Sequence, residues 1–287
     1  MLDKLYSKVS ETTKQALYSF MKEEEISLLN YHFHYYFDYC IDENQIQIIP
    51  HHFSNHKIEG LTVIDELGTS FSYEVDNPMS KRNFTLCHEL GHFVLRHDGS
   101  YFTESVDSQE SILEREANIF SAIVLMPDIV LLSKIYYSCD SFQKVKKDLG
   151  VSNQALRFRL LDLLREYFHC NEELYKKAID EYIEGQNASI VLLFQKVKEK
   201  IISEFNQYSL SLEKQLKNRV SKEGFASSKE FPELLKQESW PELKRSIDNL
   251  KIWIVYNKGR SVAYAWDSNK ISDESARKKA ELKLLIE

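Results

Sequence analysis

The stretch NPMSKRNFTLCHELGHFVLRHDG, residues 77–99, leaves the backbone little choice. Asn77 suits an N-cap, Pro78 a first helical position and Gly99 a stop, with no breaker between them. The spacing predicts one helix of about 20 residues. The flanks FTLC and FVL make it apolar on nearly every side. Such a helix belongs in a core with other elements packed around it. Gly91 lets one of those neighbours bring its backbone close. Any fold that buries this helix also buries what it carries, namely His88, Glu89 and His92.

Residues four apart on a helix point the same way, so His88 and His92 can offer ring nitrogens to one ion. Two imidazoles and a carboxylate buried together need partners, and a metal supplies them. Glu89, adjacent but rotated, is then placed to act on water, taking its proton as it attacks a carbonyl carbon. His88 and His92 are therefore candidate metal ligands and Glu89 a candidate general base. Two histidines and a carboxylate suit Zn2+ best. A catalytic zinc takes three protein ligands and keeps one position open.

The next helical stretch, SQESILEREANIFSAIVLM, is stopped by Pro127 and offers Glu114 and Glu116 as the third ligand. A helical wheel puts Glu116 inside the stripe Ile112, Leu113, Ala117, Ile119, Phe120, Ile123. Glu114 shares a flank with Asn118 and Ser121. Burial alone leans towards Glu116.

Around this pair of helices the chain reads as α+β. Residues 1–40 are helical by spacing, QIQIIPH (45–51) is a short strand, and GLTVIDE and TSFSYEVD are two strands joined by a turn. Residues 141–164 form two helices around a glycine turn, and amphipathic helices run from about residue 170 to 250. KIWIVYN and SVAYAWD make a β-hairpin, and SDESARKKAELKLLIE is a last helix capped by Ser272. Eight glycines and five prolines in 287 residues fit such long, lightly punctuated helices. The expected architecture is a mostly helical core with a small β-sheet in residues 1–170. A helix-turn-helix-like segment at 141–164 closes it, and a mainly helical region with a β-hairpin, 171–287, follows.

Charge and cysteine usage narrow the function. Residues 1–140 carry a formal charge of −12 and residues 141–287 one of +5, together −7. The acidic front half is a poor nucleic-acid surface. Cys40, Cys87, Cys139 and Cys170 are far apart and form no C-x-x-C pair, so four reduced thiols are expected. The first residues mix acids with bases around no apolar core, and apolar runs such as IVLLF (190–194) are short of a membrane span. A soluble, cytoplasmic protein without a membrane partner is the expectation.

With FTLCHELGH and, later, EREANIFSAIVLMP, the run from Arg82 to Pro127 resembles the ImmA/IrrE family of metallopeptidases. The resemblance implies a gluzincin-like zinc site in which the glutamate opening E-x-x-A-N is the third ligand, which selects Glu114 over Glu116. It also implies that Asn118, four residues on, orients a ligand histidine. Ser121 stands where the family usually has alanine. GVSNQALRFRL resembles the short helix-turn-helix that commonly follows in this family. Family members commonly sit beside a helix-turn-helix repressor of a phage, mobile element or stress response and cleave it to switch genes on. The implied function is zinc-dependent endoproteolysis of such a repressor. The strand TSFSYEV upstream of the site helix reads equally as an edge to which an extended substrate could add or as an ordinary strand packing on that helix.

Other features carry blander expectations. His97 and Asp98 read as a solvated helix end. His32 and His34, in YHFHYYFDYC, read as part of an aromatic core or interface patch. His51, His52 and His56 read as surface residues, and Cys87 as a buried thiol. Arg157 and Arg159 could meet DNA phosphates, but the apolar Leu156, Phe158, Leu160 and Leu161 around them favour structural packing. The rival function is a non-catalytic metal-binding regulator that binds a repressor or DNA. Glu89 discriminates, because a structural ion needs no general base.

Overall fold

The computed structural model describes residues 2–52, 58–66, 68–99, 101–105, 111–168, 172–208, 212–257 and 259–286. His56 and Cys170, read above as a surface histidine and a thiol, lie outside them. Two compact units divide the chain, Met1–Tyr208 and Ser209–Glu287.

The first unit runs α1 (Leu2–Glu23), α2 (His34–Asn44), β1 (Gln47–His51), β2 (Ile58–Asp65), β3 (Gly68–Glu74) and α3 (Met79–Val94). It continues with β4 (Tyr101–Ser105), α4 (Ile112–Leu125), α5 (Asp128–Leu132), a π-helical turn at Ser133–Tyr137, α6 (Phe142–Leu149), α7 (Asn153–Tyr167), α8 (Glu172–Ile183) and α9 (Ala188–Gln207). The helix expected over residues 1–40 is two helices, broken between Glu23 and His34. The aromatic patch that follows is core at Tyr31, Phe33, Tyr36 and Phe37, all buried, while His34, on which His32 stacks, and Tyr35 are exposed.

The strands form one mixed sheet in the order β1-β3-β2-β4, with β1 parallel to β3 and the other pairs antiparallel. α3 packs on β2 and β3 with one face and on α4 with the other, and α1 covers α4. The all-round apolar character of α3 follows from this sandwiched position. Gly91 faces α4 as expected: a Cβ there would stand 3.1 Å from Phe120 Cδ1 and 3.2 Å from Ala117 Cα. Any side chain at this position would push the two site helices apart.

The C-terminal end of α4 is anchored by charge. Asp128, wholly buried, pairs with Lys14 at 2.7 Å and with Arg159, whose Nε donates to Met126 O at 3.1 Å. Lys14 also reaches Glu166 and Glu204. Tyr31 OH donates to Val124 O at 2.5 Å. The helical run Ile112–Tyr137 is long and apolar enough to cross a membrane, which the sequence reading found of no stretch. Yet 78% of its apolar window is buried inside the protein, and Pro127 interrupts it, as suits core helices.

α6 and α7 flank Gly150, whose φ of +63° closes the turn, and Ser141 and Ser152 cap the two helices. Arg159 is buried in the Asp128 network, and Arg157 pairs with Asp180 at 3.0 Å. Both arginines are therefore engaged within the fold, in line with the structural packing favoured over phosphate contact. α8 packs on α7, and α9 on α5, so the boundary expected near residue 170 falls inside the first unit. The apolar faces of these helices, with Tyr175, Ile179, Ile190 and Phe194, complete the same core.

The second unit holds α10 (Leu212–Glu223), β5 (Phe225–Ser227), α11 (Trp240–Ser246), β6 (Leu250–Asn257), β7 (Arg260–Asp267) and α12 (Asp273–Ile286). The hairpin β6–β7 lies where the sequence placed it and gains β5 as a third strand, in the order β5-β7-β6. Leu216, Val220 and Leu243 pack with Ala263 and Ala265, while Ala276 and Ala280 pack with Tyr264 and Trp266. Neighbouring strand residues thus serve opposite faces.

Candidate metal centre

The site helix α3 is shorter than its sequence suggests. It ends at Val94, five residues before Gly99, because Arg96 adopts a left-handed φ of +56°. Arg96 N then bonds Phe93 O and His97 N bonds His92 O, each at 3.1 Å, a Schellman-type close. The turn folds His97 back beside His92. His97 is thus no solvated helix end: its side chain is 4% exposed. Asp98 is exposed.

His88 and His92 are each 1% exposed and Glu89 is 0%. One turn apart on α3, the histidines bring their Nε2 atoms to 3.0 Å from each other. Glu114, in the first turn of α4, adds a carboxylate 3.0 Å from His88 Nε2 and 3.5 Å from His92 Nε2. Ser111 caps that turn, accepting from Glu114 N at 3.2 Å. His88, His92 and Glu114 form a group whose ligand atoms all lie within 4.8 Å.

A divalent ion fits this arrangement. Atoms about 2.0–2.1 Å from a tetrahedral centre stand about 3.3–3.4 Å apart, close to the separations here. The donor set argues the same way. His88 Nδ1 lies 2.9 Å from Asn118 Oδ1, an acceptor, so the ring proton sits on Nδ1 and Nε2 presents a lone pair. That lone pair faces a carboxylate oxygen and a second imidazole nitrogen. A single proton can bridge two such atoms, whereas a metal ion satisfies all three.

The electrostatics agree. Burial, with His88 beside it, pushes His92 down to about 3, so the ring is neutral at pH 7. Burial lowers His97 as well, against the pull of Glu116. Burial alone would raise the Glu114 carboxyl, but contact with His88, and beyond it His92 and His97, holds it below its ordinary value. A neutral His92 and an ionised Glu114 are in the protonation states that ligands need.

Glu116, the alternative ligand, points elsewhere: its Oε2 is 3.0 Å from His97 Nε2. Burial could not separate the two acids, since Glu114 is 20% and Glu116 15% exposed. Glu89 leans on the sheet. Thr62 Oγ1 donates to its Oε2 at 2.5 Å, and a Cβ at Gly60 would collide with Glu89 Oε1 and Thr85 Cγ2. Thr62 and Gly60 lie outside the residues that motif spacing singles out. The signal was there in IEGLTVID, since a glycine inside a strand often marks a close approach.

A further strand not expected from the sequence, β4, brings Phe102 onto the His92 ring, at 4.5 Å between centroids and 17° between planes. The strand TSFSYEV is β3, paired on both sides and packed on α3, so of its two readings the ordinary packing strand holds. Among the described strands β1 and β4 are the edges, and β4 is the one against the site helix. Cys87 is a buried thiol, as expected. His52 pairs at the surface with Asp76 at 3.1 Å and lies near Glu74.

A peptidase family model described as the IrrE N-terminal-like domain matches residues 42–161. No curated protein and no solved structure matches the chain.

Proposed function

Residues 42–161 are an IrrE/ImmA-type metallopeptidase domain, and from that premise we propose a zinc-dependent endopeptidase that cleaves a helix-turn-helix transcriptional repressor. The observation that carries this reading is the convergence of His88, His92 and Glu114 beside a buried Glu89. Zinc held there would supply Lewis acidity, lowering the pKa of water towards 7 and polarising a peptide carbonyl. The chain does the rest. Glu89 takes the proton from the attacking water and passes it to the leaving amine. Thr62 and the bare Cα of Gly60 set the carboxylate in place, and Asn118 holds His88 in its ligating tautomer. Phe102 covers one face of His92 and keeps water from it. An extended segment of the repressor would add to the free edge of β4 by main-chain hydrogen bonds.

The rival, a purely structural ion in a regulator, calls for four protein ligands. Among the described residues three converge, and the general-base candidate is held in place by two features of β2. The test incubates the zinc-loaded protein with purified helix-turn-helix repressors of its own source genome, one at a time. One discrete cut should appear, stop with chelator and return with added zinc. An intact repressor beside a cleaved unrelated protein would remove the substrate assignment and leave the peptidase.

Gly60 supplies a second check. Gly60→Ala should displace the Glu89 carboxylate, slowing cleavage on the order of 10²-fold by misplacement alone. The ion, held by other residues, should stay bound, as elemental analysis would show.

A further inference from the structure

A metal ligand histidine must keep its proton on the ring nitrogen that faces away from the ion. Asn118 does this for His88 directly. For His92 the partner is another imidazole: His92 Nδ1 lies 2.8 Å from His97 Nδ1. That contact is ambiguous by itself, because a histidine ring can accept or donate. The ambiguity ends one bond further out. His97 Nε2 is 3.0 Å from Glu116 Oε2, and a carboxylate only accepts. His97 therefore carries its proton on Nε2, its Nδ1 is bare, and His92 must donate Nδ1–H across the 2.8 Å contact. His92 Nε2 is left with a lone pair aimed at Glu114 and His88.

We propose that Glu116 and His97 are positioning residues that lock His92 in its ligating tautomer. The proposal rests on the metal-centre reading above. Neither residue touches the ion, and both act through His92. The fold is built for the contact. The left-handed Arg96 closes α3 so that His97 falls on His92, where Schellman turns usually bring apolar side chains together. Glu116 lies two residues past Glu114 on α4, about 200° round the helix, so one helix meets His92 Nε2 with Glu114 and, through His97, its Nδ1 with Glu116. At 4% and 15% exposure, water competes little for the His97–Glu116 bond.

The test compares zinc affinity of full-length variants by competition with a chromophoric chelator. His97→Phe keeps the ring's bulk but has no nitrogen, and Glu116→Ala frees His97 to turn over. Each should bind zinc about 10–100-fold more weakly. His97→Gln should recover most of the affinity, since its amide oxygen accepts from His92 and its amide N–H donates to Glu116. In ¹⁵N-labelled, zinc-loaded wild type, the His92 Nδ1 proton should show coupling through the hydrogen bond to His97 Nδ1. A merely space-filling role would give neither the glutamine rescue nor that coupling. Wild-type affinity in both His97→Phe and Glu116→Ala, or the absence of the coupling, overturns the proposal. If His97→Phe does not fold, Glu116→Ala and the coupling decide. Wild-type protein that binds no zinc would instead overturn the metal centre itself.

Discussion

Exchanging Glu89 for glutamine should slow cleavage by about 10²–10⁴-fold, the usual contribution of a general base, while the ion stays bound at wild-type stoichiometry. Glutamine has the same shape and its amide oxygen can still accept from Thr62, so the site should keep its geometry and lose only the proton acceptor. Glu114→Ala should show the opposite pattern. It removes a third of the donor set and leaves two imidazole lone pairs facing each other, so the purified variant should be largely metal-free by elemental analysis. Cleavage by Glu89→Gln at the wild-type rate would sink the peptidase mechanism. A full complement of ion in Glu114→Ala would sink the ligand assignment.

The second large effect is on stability. Asp128→Ala should cost about 3–5 kcal/mol, because it leaves Lys14 and Arg159 as buried cations without their shared carboxylate. Thermal unfolding would report it as a fall in Tm of many degrees. Replacing all three by apolar residues of similar size should recover most of the loss. The damage should reach the site, because Arg159 also bonds Met126 O at the end of the helix carrying Glu114 and Glu116.

The pH dependence has a defined sign. Burial would raise the Asp128 carboxyl, yet Arg159 and Lys14 outweigh it and hold the group below its ordinary 3.8. Its contribution is therefore full above that ordinary value and is lost as pH falls through the lower, folded one. Asp128→Ala should flatten the dependence of unfolding free energy on pH in the acid range below about 4, measured by denaturant titration. A variant that unfolds in parallel with wild type throughout that range would show that the network does not govern acid stability.

What could be read in advance follows from the range of each effect. His88, Glu89 and His92 were legible because helix geometry is local: residues four apart meet whatever the rest of the chain does. The hairpin β6–β7 was legible for the same reason, its alternation and turn being contiguous. The choice between Glu114 and Glu116 is different. A wheel ranks faces by apolar neighbours, and both acids proved half-buried, so the sequence alone leaned the wrong way until the resemblance intervened. His97 looked like a helix end because Gly99 is the better stopping residue. Arg96 took the left-handed position instead, three residues earlier.

The sequence by itself determined that a buried helix would carry two imidazoles and a carboxylate, a combination that needs a cation. Only tertiary structure decided which residues surround them. Ser111-capped α4 delivers Glu114 to the ion's place and Glu116 to His97. β2 offers a glycine and a threonine to Glu89, and among the described strands β4, not β3, is the edge beside the site. The reason is physical: spacing along one helix sets relative direction within it, but a partner on another element is set by which surfaces pack, and α3 is apolar on every side. A helix that can be covered from any direction does not announce what will cover it.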